Sequence, residues 1–378
     1  MLKKIILGLA LFLAILTAAG CLNACTQNIK GQDKLNSATT KSPEKSFIPQ
    51  VIENFTIDNP YELVKWNETT QYKANFHTHT TMSDGSETPQ NVVNFYANKD
   101  FKILSITDHN YYNIEGTETL PWSELSDVTN SQNLISIPGC EVTSSQDINS
   151  LFSRMKYIAP ITTVDEAIQI GQNAGAVLNI NHPGRYNTPT QTYVELYKKY
   201  SALVSMEILN GQNMGEGDPV KIWDDVLYSL MPERAVWASG GDDYHCGDPA
   251  EKVGKYFNIM LLNKDNLKDD QIEKAYRSGQ YFVGATNDAR YYQLPVIKSI
   301  DVNQDKGKIT ILVEGCKKVT WISGETRESQ ETDLSSCTLI LDVGALMRQG
   351  KIAKYVRVVF ENDQGQVYSQ PFGLILNK

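Results

Sequence analysis

Between residues 72 and 286, short apolar runs alternate with stretches of helical periodicity. Runs of strand length stand at 72–76, 103–106, 134–137, 176–180, 203–208 and 236–239, with later ones at 256–262 and 281–283 around a helical stretch at 269–277. Helical patterns fill the gaps at 90–98, 163–174, 190–200 and 219–230; Thr88-Pro89 opens the first, threonine suited to cap and proline to the first turn. Such alternation predicts a parallel α/β layer or barrel. Past residue 294 the period shortens: strand-like runs at 296–302, 308–313, 319–322, 338–341, 354–361 and 368–376, joined by turns such as Asp305-Lys306-Gly307, predict a small all-β sandwich. The expected division is an α/β domain over 56–290 and a β-sandwich-like domain over 291–378.

The first residues follow neither pattern. Met1-Leu2-Lys3-Lys4 is a basic start to an apolar run over 5–19, the layout of a signal peptide spanning 1–20. A membrane-spanning helix wants roughly 20 apolar residues or more. Ala18-Ala19-Gly20 before Cys21 resembles a bacterial lipobox, so Cys21 is the expected lipidation site, with Cys25 its rival and ordinary secretion the alternative. Residues 21–55, rich in polar side chains, read as a flexible tether between membrane and domain. The expected localisation is therefore an exported lipoprotein anchored in the bacterial cell envelope.

Charge and cysteine use narrow the partners. Formal charge is −9, and −11 once Lys3 and Lys4 leave with the signal. An acidic chain argues against nucleic-acid binding, sequence-specific or otherwise, while leaving room for a nucleotide held by metals. Cys140, Cys246, Cys316 and Cys337 form no CxxC pair, which excludes a zinc ribbon. Cys316 and Cys337 could pair or stay free, and Cys140 and Cys246 read as packing residues.

All five histidines fall in four blocks at the ends of expected strands: Phe76-His77-Thr78-His79-Thr80, Thr107-Asp108-His109-Asn110, Asn181-His182-Pro183-Gly184 and Asp243-Tyr244-His245. Asp84, Glu141 and Asp243 stand in similar settings. Imidazole nitrogen with carboxylate oxygen is the donor set of zinc, manganese or iron. In an α/β barrel the C-terminal strand ends share one face, so residues from 77 to 245 can converge. Asp108 and Asp242, beside candidate ligands, are candidates for a supporting layer, Asp108 also for a catalytic role, or are turn aspartates. Arg185, three residues after His182, could bring a guanidinium to a phosphate or sit in a surface ion pair. Tyr111 and Tyr112 could line the pocket or pack a loop, and the glycine-rich stretch 211–217 lacks the Gly-Lys-Ser/Thr ending of a P-loop.

Together the blocks resemble the PHP (polymerase and histidinol phosphatase) superfamily of metal-dependent phosphoesterases over residues 72–286. The resemblance rests on His77-Thr78-His79 with Ser83-Asp84-Gly85, Thr107-Asp108-His109, Gly139-Cys140-Glu141, Asn181-His182-Pro183 and Asp242-Asp243-Tyr244-His245. It implies a distorted seven-stranded (β/α) barrel with two or three divalent metal ions at its C-terminal strand ends. On that analogy His77, His79, Glu141 and Asp243 hold one ion, Glu141 bridges to a second held by Asp84, His109 and His182, and His245 completes the cluster. Related enzymes often carry a histidine a few residues after the bridging glutamate; here Asp147 stands in that place or the ligand is absent, which leaves the count at two or three. The implied activity is hydrolysis of phosphate mono- or diesters, such as nucleotides or sugar phosphates, by attack of a metal-bound hydroxide. Hydrolysis of carboxyl or carbamate esters, or a non-catalytic envelope binding lipoprotein, are the alternatives.

Overall fold

The computed structural model describes residues 54–110, 129, 132–153, 161–212, 215, 217–264, 267–289, 293–324, 326–332 and 335–377. The expected signal segment, Cys21, Cys25, nearly all of the tether, Tyr111 and Tyr112 lie outside these residues. Strands β1 (Phe55–Asp58), β2 (Thr69–Asn75), β3 (Phe101–Leu104), β4 (Ile135–Ser136), β5 (Gly139–Val142), β6 (Ile148–Leu151), β7 (Val177–Ile180), β8 (Leu203–Asn210), β9 (Trp237–Gly241), β10 (Tyr256–Asn263) and β11 (Tyr281–Thr286) build the α/β part. Helices Pro89–Ala97, Val164–Asn173, Thr190–Lys199, Pro219–Leu230 and Asp269–Arg277 stand where the periodicity predicts them. Thr88, Thr163 and Asp218 cap three of these helices through their side chains, each cap stabilising by about 1 kcal/mol.

The fold is mixed α/β, and its pairing differs from an uninterrupted parallel layer. One sheet runs β11-β10-β2-β3-β4, parallel only across β2, β3 and β4. The other runs β5-β6-β7-β8-β9, antiparallel through β7 and parallel from there to β9. The reason for the antiparallel part is local: the few residues between β5 and β6 are too short for the crossover that parallel neighbours need. Two isolated bridges, Thr78 with Tyr244 and His109 with Glu141, join the two sheets. Among the described residues no ladder closes a ring of seven strands, and both bridges fall at histidine blocks.

The C-terminal residues form β12 (Val296–Asn303), β13 (Lys308–Glu314), β14 (Lys318–Ser323), β15 (Thr326–Glu331), β16 (Cys337–Asp342), β17 (Tyr355–Asn362), β18 (Gly365–Tyr368) and β19 (Phe372–Leu376), with a helix at Val343–Arg348. β12, β13 and β16 make a separate sheet, whereas β18 pairs with β11 and β19 with β1. The change of composition near residue 290 is therefore not a break in the sheet. Phe257 and Phe282 pack in one apolar cluster with Val358 and Phe360. A second cluster, with Ile180, Trp223 and Ile272, lies under the β5–β9 sheet. A buried ion pair joins β17 to helix Pro219–Leu230: Arg357 donates from Nε and Nη2 to Asp224 Oδ1 and Oδ2 at 2.6 and 2.7 Å. No helix among the described residues is long and apolar enough to cross a membrane.

Candidate metal centre

Strand ends stitch the histidine blocks side by side. Asp243 donates its backbone N–H to His77 O (3.0 Å), His79 to Tyr244 O (2.9 Å), Thr107 to Thr78 O (2.9 Å) and Glu141 to Thr107 O (3.1 Å). All eight expected ligands meet there. His182 and Asp243 carry φ of 30° and 47°, a left-handed conformation that costs a non-glycine residue on the order of 1–3 kcal/mol and concentrates where function requires it.

His77 Nε2 lies 3.2 Å from Glu141 Oε2 and 3.1 Å from Asp243 Oδ1, and His79 Nε2 lies 3.0 and 3.2 Å from the same two oxygens. None of His77 Nε2, His79 Nε2 and Asp243 Oδ1 has a hydrogen-bond partner, although all are buried. Orphaned buried polar atoms are costly, and three that converge with Glu141 Oε2 on one point suit a cation. Ligand atoms within 4.8 Å of one another fall into three groups: His77, His79, Glu141 and Asp243; His79, Asp84, His109 and His245; and Glu141, Asp147 and His182. The first is the set the family resemblance implies. The others divide differently, because His182 faces Glu141 and Asp147 whereas Asp84 and His109 face His245. Asp147 thus joins the cluster, 3.9 Å from His182 Nε2, and accepts from Tyr186 Oη at 2.5 Å.

Glu207 stands behind the cluster, outside the histidine blocks. From within β8 its Oε1 accepts from His77 Nδ1 (3.0 Å), and its Oε2 accepts from His182 N (2.9 Å) and Asn210 Nδ2 (2.8 Å). Fixing the proton on Nδ1 leaves the Nε2 lone pair of His77 turned to the cluster. Gly241 makes room for this contact: a Cβ there would stand 2.5 Å from Glu207 Oε1 and 2.7 Å from His77 Cβ. The available signal was a single carboxylate inside an otherwise mostly apolar run.

Asp108 turns away from the three groups. It accepts from Thr80 N (2.7 Å), Thr80 Oγ1 (2.8 Å) and Ser83 Oγ (2.6 Å), and so holds the loop that carries Asp84. Asp242 accepts from Asn75, Tyr96 and the backbone N–H groups of Gly254, Lys255 and Tyr256, a structural anchor. Burial pushes its pKa up to about 6 against those bonds. Arg185 reaches the centre, donating from Nη2 to Asp243 Oδ2 (3.2 Å) and Gln212 O (3.1 Å), with 24% of its side chain exposed.

Histidines and carboxylates of the cluster shift one another strongly. Burial works to lower the pKa of His79, but the carboxylates of Asp243 and Glu141 outweigh it and raise the value to about 10. His77 is raised well above the usual range by Asp243, Glu207 and Glu141, again against burial. Glu141 and Asp243 are held well below the carboxylate range by the histidines despite burial. Asp147, buried beside Glu141, is raised. Cys140 is buried and its thiol is pushed up, which argues against thiolate ligation.

Fold and site together define a mixed α/β protein with a buried cluster of histidine and carboxylate metal-ligand candidates. No protein-family model matches the chain, and no curated protein matches it in sequence. Among solved structures it is similar to a two-domain protein from Bacteroides vulgatus containing a predicted PHP-like metal-dependent phosphoesterase, at 16% identity and TM-score 0.49, covering 82% of this chain and 96% of that one. An amidohydrolase from Chromobacterium violaceum with bound sulfate and no metal is 16% identical, TM-score 0.36, over 46% of this chain and 87% of that one. A candidate metal-dependent phosphoesterase from Bifidobacterium adolescentis is 14% identical, TM-score 0.37, over 55% and 96%.

Proposed function

We propose that this protein is a metal-dependent phosphoesterase of the PHP type, hydrolysing phosphate mono- or diesters at a centre of two or three divalent ions. The convergence of three orphaned buried ligand atoms on one point, with two further ligand groups beside it, carries the reading. His77, His79, Glu141 and Asp243 would hold one ion, and Asp84, His109 and His245 another. Glu141, Asp147 and His182 offer a third place. Bound ions supply water of lowered pKa and neutralise charge on phosphoryl oxygens. Arg185, partly exposed beside Asp243, would orient a phosphate through its guanidinium. Asp108 fixes the Asp84 loop, and Glu207 fixes His77.

The test is metal analysis of the purified protein together with turnover of p-nitrophenyl phosphate, its diester and a carboxyl ester, with manganese or zinc added. Phosphate-ester turnover that Asp243→Asn abolishes is expected. Carboxyl-ester turnover alone would move the protein to another hydrolase class, and tight metal without turnover would make it a binding protein. A small phosphorylated substrate outside the cytoplasm and a lipid anchor at Cys21 complete the proposal. Globomycin should then cause the uncleaved form to accumulate in cells, and no accumulation would remove the lipoprotein part.

A further inference from the structure

Behind Glu141, the inner side of the β5–β9 sheet carries uncharged polar side chains with no place in the ligand groups: Asn179 on β7, Ser205 on β8, Ser239 on β9 and Tyr276 on helix Asp269–Arg277, all buried. They form one hydrogen-bonded line. Tyr276 Oη lies 2.9 Å from Ser205 Oγ; Ser205 and Ser239 donate to Asn179 Oδ1 at 2.8 and 2.7 Å. Asn179 Nδ2 donates to Asn181 Oδ1 at 2.9 Å, and Asn181 Nδ2 donates to Glu141 Oε1 at 2.8 Å.

The direction of every link follows from its two ends. A carboxylate only accepts, so Asn181 must present its amide N–H to Glu141. The oxygen of Asn181 then faces the backbone N–H of Asn149 at 3.2 Å, which only donates, and this excludes the flipped amide. With that oxygen fixed, Asn179 must donate to it and must accept from both serines. Ser205 has one proton, and it goes to Asn179, so Tyr276 must donate to Ser205. Each donor points towards Glu141.

We propose that Asn179 is a positioning residue for the metal centre. It is the junction of a chain of single polarity that holds Glu141 with Oε1 towards His182 Nε2, at 3.1 Å, and Oε2 towards His77 and His79. The inference rests on the reading of Glu141 as a shared metal ligand. An apolar filling of this space would carry no desolvation cost, and a half-satisfied polar one would be worse than either. A fully satisfied line that ends on Glu141 instead fixes one orientation of that carboxylate.

Asn179→Asp tests this, because it keeps the shape and removes the donor. Its oxygen would oppose Asn181 Oδ1, and turning Asn181 to relieve that contact would set an oxygen against Glu141. Full-length protein stripped of metal is titrated with Mn²⁺ or Zn²⁺ against a chromophoric chelator, and metal-free thermal unfolding is recorded beside it. N179D is expected to weaken binding of at least one ion by about 10–100-fold, the usual effect of losing a partner behind a ligand. Tyr276→Phe, which leaves the links from Asn179 to Glu141 intact, should bind closer to wild type. If N179D does not fold, the uncharged Asn179→Leu is read in its place. Wild-type affinity in the Asn179 variant, with only the metal-free melting temperature lowered, would overturn the inference. Failure of the wild type to bind either metal would instead overturn the metal reading beneath it.

Discussion

His77 is turned into a ligand by what stands behind it. Glu207 accepts on both oxygens, from His77 Nδ1, His182 N and Asn210 Nδ2. Glu207→Gln must therefore set an N–H against one of these donors, and metal affinity should fall about 10–100-fold in a competition titration. Unchanged affinity would assign Glu207 to packing alone. The protonation of the histidines gives a second prediction. In the metal-free protein His79, with its pKa near 10, is an imidazolium at neutral pH, and an ion can use only the neutral ring. Binding must release protons, so affinity rises with pH up to about 10 and falls as pH drops, by roughly tenfold per unit for each proton displaced. Calorimetry at pH 7 in buffers of different ionisation heat measures the release, and none would contradict the protonation argued here. The histidine blocks were legible in the sequence because an imidazole beside a carboxylate after an apolar run is a local pattern. Glu207 and Asn179 were not, since one polar side chain in a strand looks the same whether it faces solvent or the interior, and only the neighbouring strands decide which.

At the scale of elements, the helices and most long strands could be read from periodicity, and the direction of pairing could not. β5 and β6 are four residues each, and Glu141 within β5 reads in sequence as a motif element, not as part of a strand. Their antiparallel turn carries Asp147 back to the cluster, where it meets His182. Helix Pro219–Leu230 shows a similar limit: Asp224 looks like part of its polar face, yet it is buried against Arg357. Tyr355 Oη also donates to Asp224 at 3.0 Å, and the guanidinium of Arg357 lies 5.0 Å from the Trp223 ring. Asp224→Ala leaves a buried arginine unpaired and should destabilise the protein by about 3–5 kcal/mol, read from the urea midpoint. Adding Arg357→Met should recover most of the loss, because the penalty comes from the uncompensated charge. A single variant as stable as wild type would mean that water or another group replaces the carboxylate.

For the whole molecule, the change of composition near residue 290 and the continuity of the sheet lead to opposite expectations. Composition suggests two domains divided near residue 290. Pairing runs from Val283 with Tyr368 to Thr286 with Gly365, and β1 near the start of the described chain pairs with β19 near its end. A chain ending at residue 290 would expose the β11 edge, strip Phe257 and Phe282 of Val358 and Phe360, and leave Asp224 without Arg357. An uncovered edge of that kind invites association with other chains. Such a shortened chain should show no single cooperative unfolding transition and should aggregate, while the full chain unfolds cooperatively and gains stability with free metal in proportion to RT ln(1 + [metal]/Kd). If the shortened chain unfolds cooperatively and binds metal as tightly as the full one, the C-terminal strands are dispensable to the centre and the α/β part is a domain in its own right.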